Sequence, residues 1–232
     1  MALDQRRLAY LAAMGIEVWV PRVPSARDLG LAQAPGAEPD APERWAGTLG
    51  WDELEAQVER CTACPLHRGR THTVFGVGCR SAEWMFIGEA PGEQEDLQGE
   101  PFVGRAGQLL NEMIRAIGLS REAVYIANVL KCRPPKNRDP APEEARACEG
   151  YLQNQLALVR PKIIVAVGRI AAQNLLNTAT PIGKLRGQVH HYQGIPLVVT
   201  YHPAYLLRSL AEKRRAWEDL KLALRTFRHL DR

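Results

Sequence analysis

The chain has 232 residues, 46% of them apolar, and 30 Lys and Arg against 26 Asp and Glu give a formal net charge of +4. That length holds one sizeable α/β domain with residues to spare, and no apolar run approaches the roughly 20 residues of a membrane span. So modest a charge fits any ordinary soluble protein, and the five cysteines, an odd number, argue against a disulfide framework and for metal or cluster ligation.

The first residues, Met1-Ala2-Leu3-Asp4-Gln5-Arg6-Arg7, contain no apolar export core or small-residue cleavage site, so the expected location is the cytoplasm. Residues 3–14 read as a short amphipathic helix, followed by Gly15-Ile16-Glu17-Val18-Trp19. Residues 23–49 have the composition of a linker, with Pro24, Pro35, Pro39 and Pro42 and few large apolar side chains, and are expected to be poorly ordered. The chain thus divides into a peptide (1–22), a linker (23–49) and a compact domain (50–232).

Inside the domain, short β-rich runs at 84–87, 124–127, 163–167 and 197–200 alternate with helical patterns at 50–60, 105–117, 142–158, 169–176 and 205–229. The run Ile163-Ile164-Val165-Ala166-Val167 is apolar on both faces, as a buried parallel strand must be. The alternation predicts an α/β fold, a three-layer α/β/α sandwich around a four-stranded parallel sheet. Three of the strands run directly into polar or Gly-rich segments: Gly88-Glu89-Ala90-Pro91-Gly92, Asn128 and His202-Pro203. Ligands bind at the carboxyl ends of strands in open α/β sheets, so these signals converge on one edge.

Cys61 and Cys64 form a Cys-x-x-Cys pair, and Cys132 and Cys148 complete a set of four thiols. Four thiolates hold either a [4Fe–4S] cluster or zinc, and spacing alone does not choose between them. Cys79 is left over as a small packing residue. Lys131, Arg133, Lys136 and Arg138 lie within eight residues, and Lys213, Arg214 and Arg215 are consecutive. Such clusters can neutralise nucleic-acid phosphates or simply face solvent.

Five motifs occur in order: Cys61-x-x-Cys64-Pro65-Leu66, Gly88-Glu89-Ala90-Pro91-Gly92-Glu93-x-Glu95-Asp96, Pro101-Phe102-Val103-Gly104, Asn128-Val129-Leu130-Lys131-Cys132-Arg133-Pro134-Pro135 and His202-Pro203-Ala204-Tyr205-Leu206-Leu207-Arg208. Together they make residues 51–229 resemble the family-four uracil-DNA glycosylases. The resemblance implies a [4Fe–4S] cluster on Cys61, Cys64, Cys132 and Cys148 with a structural role. It also implies a DNA substrate, single- or double-stranded, from which a flipped uracil is excised. By the same resemblance Phe102 stacks on the base, the Asn128 amide reads uracil O4 and N3–H, and His202 donates to O2 as negative charge builds there. Gly88 and Gly92 would let the backbone approach the ligand closely, and Gly88 and Ala90 are expected among the substrate contacts. Leu206, Leu207 and Arg208 resemble a loop that wedges into the duplex, while Lys131 and Arg133 are expected to contact DNA. In the best-known relatives of the wider superfamily an Asp that orients water occupies the position of Ala90. Glu89, Glu95 and Asp96 are therefore the candidates for that task here.

Residues 1–50 are additional to that pattern. Arg6-Arg7, Leu11, Met14-Gly15-Ile16, Trp19 and Arg22 resemble the N-terminal peptide of the psi subunit of the bacterial DNA polymerase III clamp loader. The implied partners are the clamp-loader ATPase subunits and a chi-type subunit, with Ile16, Trp19 and Arg22 as anchors. Two readings follow. One is a glycosylase tethered to the replisome; the other is a non-catalytic psi-type subunit built on a glycosylase-like body.

Overall fold

The computed structural model describes residues 49–230, so the peptide carrying Ile16, Trp19 and Arg22, and all but the last residue of the linker, lie outside the described residues. Helix α1 (Trp51–Glu59) leads through a 3₁₀ turn (Pro65–Arg68) to strand β1 (Val77–Gly78). There follow β2 (Trp84–Gly88), α2 (Glu93–Gln98), α3 (Arg105–Ala116), β3 (Tyr125–Asn128), α4 (Pro142–Val159), β4 (Ile163–Val167) and α5 (Arg169–Leu175). The chain ends with α6 (Ile182–Leu185), β5 (Val189–Tyr192), β6 (Ile195–Thr200), α7 (Pro203–Arg208) and α8 (Lys213–Leu230). None of the described helices is long and apolar enough to cross a membrane.

The sheet has six strands in the order β1-β3-β2-β4-β6-β5. Its four central strands, β3, β2, β4 and β6, are parallel and match the four runs expected from sequence. The correction lies at the edges, where β1 pairs antiparallel with β3 and β5 pairs antiparallel with β6. Strand β5 returns to β6 through Gln193 and Gly194, both at positive φ (51° and 84°), the conformation a tight two-residue hairpin requires.

Period-2 alternation assigns the central side chains to two cores. Trp84, Phe86, Val165 and Val198 face α3 and α8, packing with Leu110, Ile114 and Leu220. Met85, Ile87, Ile164, Leu197 and Val199 point the other way, onto Leu152 and Leu156 of α4 and Ala172 of α5. Each fully buried side chain of this size contributes roughly 1.5–3 kcal/mol. In α8 the buried residues Ala216, Asp219, Leu220 and Ala223 follow helical spacing. The buried Asp219 is paired with Arg186 at 2.7 Å.

The single helix expected over 205–229 is broken into α7, a 3₁₀ turn (Leu210–Glu212) and α8. Ser209, at φ −130° and ψ 75°, makes the break. It sets the His202 segment apart from the long helix that covers the sheet.

Candidate active site

A cavity of about 740 Å³ opens at the carboxyl edge of the sheet, lined among others by Glu89, Phe102, Asn128, Arg169, Tyr201 and His202. Gly88 ends β2 beneath it. A Cβ there would lie 2.4 Å from Asn128 Oδ1 and 2.6 Å from Phe102 Cζ, so only glycine lets both side chains approach.

Phe102 is held in the left-handed region at φ 54°, a conformation that costs of order 1–3 kcal/mol and persists only when its surroundings enforce it. They do. Arg121 donates to Pro101 O at 2.6 Å and to Glu100 at 2.9 Å. From the other side, Glu95 Oε1 accepts from the backbone N–H groups of Val103 (3.1 Å) and Gly104 (3.3 Å). Gly107 completes the clamp, because a Cβ there would sit 1.8 Å from Phe102 O.

Asn128, the last residue of β3, is buried, and its Oδ1 has no hydrogen-bond partner. An acceptor in that state costs about 1–3 kcal/mol. His202 is the N-cap of α7, and its Nδ1 accepts from Ala204 N at 3.1 Å. Burial lowers the imidazole pKa to about 4, with Glu95 opposing and Arg208 adding to the effect. The ring is therefore neutral at pH 7. With Nδ1 accepting, the proton sits on Nε2, leaving an N–H free to donate. Its ring stacks on Phe102, centroids 5.7 Å apart.

The candidate carboxylates separate by what they touch. Burial pushes Glu89 up to about 7, with the charge of Asp139 adding to the shift and Arg169 opposing it. It lines the cavity and makes no side-chain hydrogen bond to a described residue. Glu95 also reaches the cavity but is committed to the Phe102 loop. Asp96 is a correction: it is buried away from the cavity, accepting from Thr71 N at 2.9 Å, so it braces a loop.

Residues 75–221 match the uracil DNA glycosylase superfamily. The chain is 49% identical to a type-4 uracil-DNA glycosylase of Archaeoglobus fulgidus over 164 residues, covering 67% of this chain and 82% of that protein. It is 46% identical to the type-4 enzyme of Thermotoga maritima over 174 residues, 73% of this chain and 91% of that one. A type-5 uracil-DNA glycosylase of Thermus thermophilus is more distant, 35% identical over 159 residues, 53% of this chain and 72% of that one.

This chain belongs to the uracil-DNA glycosylase superfamily, in its type-4 family.

Two expected DNA contacts of the glycosylase are corrected by the structure. Lys131 is only 1% exposed, and its ammonium donates inward to Asn128 O (2.9 Å) and Gln155 Oε1 (2.6 Å), out of reach of a phosphate. Leu206 is likewise 1% exposed and belongs to the core beside α3 and α8, so it is no free wedge. Leu207 is half-buried, whereas Arg208 is exposed at the cavity rim. Two residues further on, Leu210 stands 65% exposed. Arg133 stays accessible beside the cavity, bonded to Asn137 at 2.8 Å. Ala90 lines the cavity wall.

Arg138, Asp139, Arg169 and Tyr201 also line the cavity, and sequence reasoning did not single them out as base-pocket residues. Arg169 and Asp139 pair at 2.6 Å. The available signal was Gly168-Arg169, the polar end of the one remaining parallel strand, β4.

The four expected cysteine ligands of the glycosylase form no disulfide. Cys132 and Cys148 are buried together with Leu66 and Leu130, and Cys64 packs against them. Arg70 Nη1 bridges Cys61 O (2.9 Å) and Cys132 Sγ (3.3 Å), which brings Cys61 to the same site. Donors already point at the sulfurs: Arg70 to Cys132 (3.3 Å), Lys131 N to Cys148 (3.3 Å) and Ala63 N to Cys61 (3.5 Å). Burial raises the Cys148 thiol to about 11, against the pull of Lys131. The donor set suits a group bound through thiolates. Among the described residues no three His, Cys, Asp or Glu side chains meet as a single ion requires.

Proposed function

We propose that this uracil-DNA glycosylase hydrolyses the N-glycosidic bond of deoxyuridine in DNA by holding the flipped base between Phe102, Asn128 and His202. The observation that carries the reading is the unpartnered, buried Asn128 Oδ1. Uracil N3–H is the donor it lacks, while cytosine N3 presents a second acceptor. A bidentate contact of this kind is worth ~1–3 kcal/mol of discrimination.

As the C1′–N1 bond breaks, its electron pair moves onto the base and charge builds on O2. The neutral His202 donates Nε2–H to that oxygen, a contribution of the oxyanion-hole type. The deoxyribose becomes cationic at C1′, water adds there, and Glu89 accepts the water's proton, leaving an abasic site and the uracil anion, which takes up a proton from solvent on release. A carboxylate tuned to about 7 suits general-base work near neutral pH. Glu95 serves the reaction by fixing the Phe102 loop.

Cys61, Cys64, Cys132 and Cys148 would hold a [4Fe–4S] cluster. What supports the cluster reading is the family resemblance together with N–H donors directed at three of the four cysteine sulfurs. When bound, its chemistry is structural cross-linking of α4, the Cys61–Cys64 turn and the segment after Asn128. Arg208, Leu210 and the Lys213-Arg214-Arg215 run would meet the DNA strands beside the cavity.

The N-terminal peptide is read as a tether to clamp-loader subunits, raising the local concentration of enzyme at new DNA. Support for this is the spacing of Ile16, Trp19 and Arg22 alone. Pull-down by clamp-loader subunits that is lost in Trp19→Ala is the expected result, and retention of the intact protein's binding in the variant disposes of it. A purely scaffolding, psi-type body has no use for an unsatisfied amide oxygen facing a cavity at the sheet edge.

The test of catalysis is incubation with a uracil-containing oligonucleotide followed by alkali. Strand cleavage by the parent, abolished in a His202→Leu/Asn128→Ala double variant, is expected. Equal cleavage by both proteins removes these residues from the mechanism.

A further inference from the structure

Lys131 was expected on the DNA surface and lies instead between the two sites. Its ammonium is enclosed, and both of its side-chain hydrogen bonds go to neutral acceptors, Asn128 O at 2.9 Å and Gln155 Oε1 at 2.6 Å. Gln155 is itself fixed, donating to Phe75 O (2.8 Å) and Tyr125 Oη (3.2 Å). The Lys131 backbone N–H donates to Cys148 Sγ (3.3 Å), and its carbonyl accepts from Val74 N (2.8 Å). One residue thus touches the carbonyl of the base-reading Asn128, a strut from α4 and a ligand thiol.

A buried cation without an anionic partner is costly, and breaking such a pair commonly costs several kcal/mol. The groups beside it able to supply an anion are the thiols of Cys148, 3.3 Å from the Lys131 backbone N, and of Cys132, the next residue in the chain. Four thiolates around an iron–sulfur core leave a net negative charge. Acidic side chains do not take this role, since neither hydrogen-bond acceptor of the ammonium is a carboxylate.

We infer that Lys131 is a positioning residue that couples the two sites: its ammonium is the counter-charge of the thiolate-bound cluster, and its hydrogen bond to Asn128 O holds the uracil-reading amide in place. The inference rests on the cluster reading above. A parent protein without iron would defeat that reading before any variant is made, so the two failures are distinguishable.

The test uses two variants of the full chain. Lys131→Met removes both charge and hydrogen bond at similar length, whereas Lys131→Gln removes the charge but keeps a donor. Removal of a positive charge beside the cluster moves its reduction potential to more negative values, and both variants should show that shift. Uracil excision should fall by roughly 10–100-fold in Lys131→Met, with a smaller loss in Lys131→Gln. Chelation of iron should lower the melting temperature of the parent more than that of Lys131→Met, because only the parent is left with a stranded cation. Parent-like potentials in both iron-loaded variants, or equal melting losses on chelation, overturn the inference. If Lys131→Met does not fold, Lys131→Gln decides alone: a parent-like potential or a parent-like melting loss in that variant overturns the inference.

Discussion

The cavity and the thiol site lie at the two ends of one short segment, Asn128 to Cys132, and they treat polar groups in opposite ways. In the cavity, among the described residues, Asn128 Oδ1 has no partner, Glu89 makes no side-chain hydrogen bond, and the His202 ring is hydrogen-bonded through Nδ1. Around the thiols the polar groups are committed. Arg70 donates to Cys132 Sγ, Cys61 O and Glu59 O, and Lys131 donates to two oxygens. Leaving a buried polar group unpaired costs about 1–3 kcal/mol, so it survives where a ligand supplies the partner. Gln193 Oε1 in the hairpin turn is also short of a partner among the described residues, yet it does not line the cavity. A missing partner marks a ligand site only where a cavity faces it.

The contrast breaks most visibly at Glu89. If its free carboxylate accepts the water's proton, Glu89→Gln should lower the single-turnover rate by ~10²–10⁴-fold. The parent's rate should rise with pH and level off above about 7, where the carboxyl is ionised. Stability runs the other way. A carboxyl whose folded pKa is raised contributes stability that is full below its ordinary value of 4.5 and lost as pH rises through 7. Glu89→Gln should therefore melt higher than the parent at pH 8 and lose that advantage near pH 4.5. An equal rate in Glu89→Gln at pH 8 would transfer the base role elsewhere.

His202 comes next. His202→Leu removes one donor to the developing anion and should cost ~10²–10³-fold in rate. Because the imidazole pKa is lowered to about 4, the parent should show no histidine-controlled limb between pH 5 and 8. A limb near pH 6.5 that vanishes in the variant would contradict a neutral ring. Asn128→Asp is expected to be milder, losing about 1–3 kcal/mol of preference for uracil over cytosine; competition between the two oligonucleotides measures it, and undiminished preference removes Asn128 from base reading.

These residues differ in how far the sequence disclosed them. The four parallel strands were legible because apolar runs of that length bury on both faces, and the converging strand ends placed Asn128 and His202 at one edge. The antiparallel edges were not: β1 has two residues, and Gln193-Gly194 is a weaker hairpin signal than Asn-Gly. Roles within a charged motif were also illegible. Glu89, Glu95 and Asp96 look alike in sequence, and only packing separates a free carboxylate from a loop clamp and a buried brace. Lys131 was misread for the same reason. A lysine in a basic run resembles a phosphate contact until its depth is known.

The smallest effect should come from the DNA side of the pocket. Leu206 and Leu210 are chemically identical, but one is core and the other stands in solvent beyond Arg208. Leu206→Ala should cost about 2–5 kcal/mol of stability and leave the activity of each folded molecule nearly unchanged. Leu210→Ala should leave stability within ~0.5 kcal/mol. It should reduce excision from duplex DNA about fivefold, on the order of the ~1 kcal/mol that partial burial of a leucine between base pairs supplies. Single-stranded substrate, which has no stack to open, should be cut at the parent's rate. Equal losses on both substrates would make Leu210 a general contact. No loss on either would return the wedge to Leu207, the half-buried neighbour, and would mean that the α7 turn moves when DNA binds.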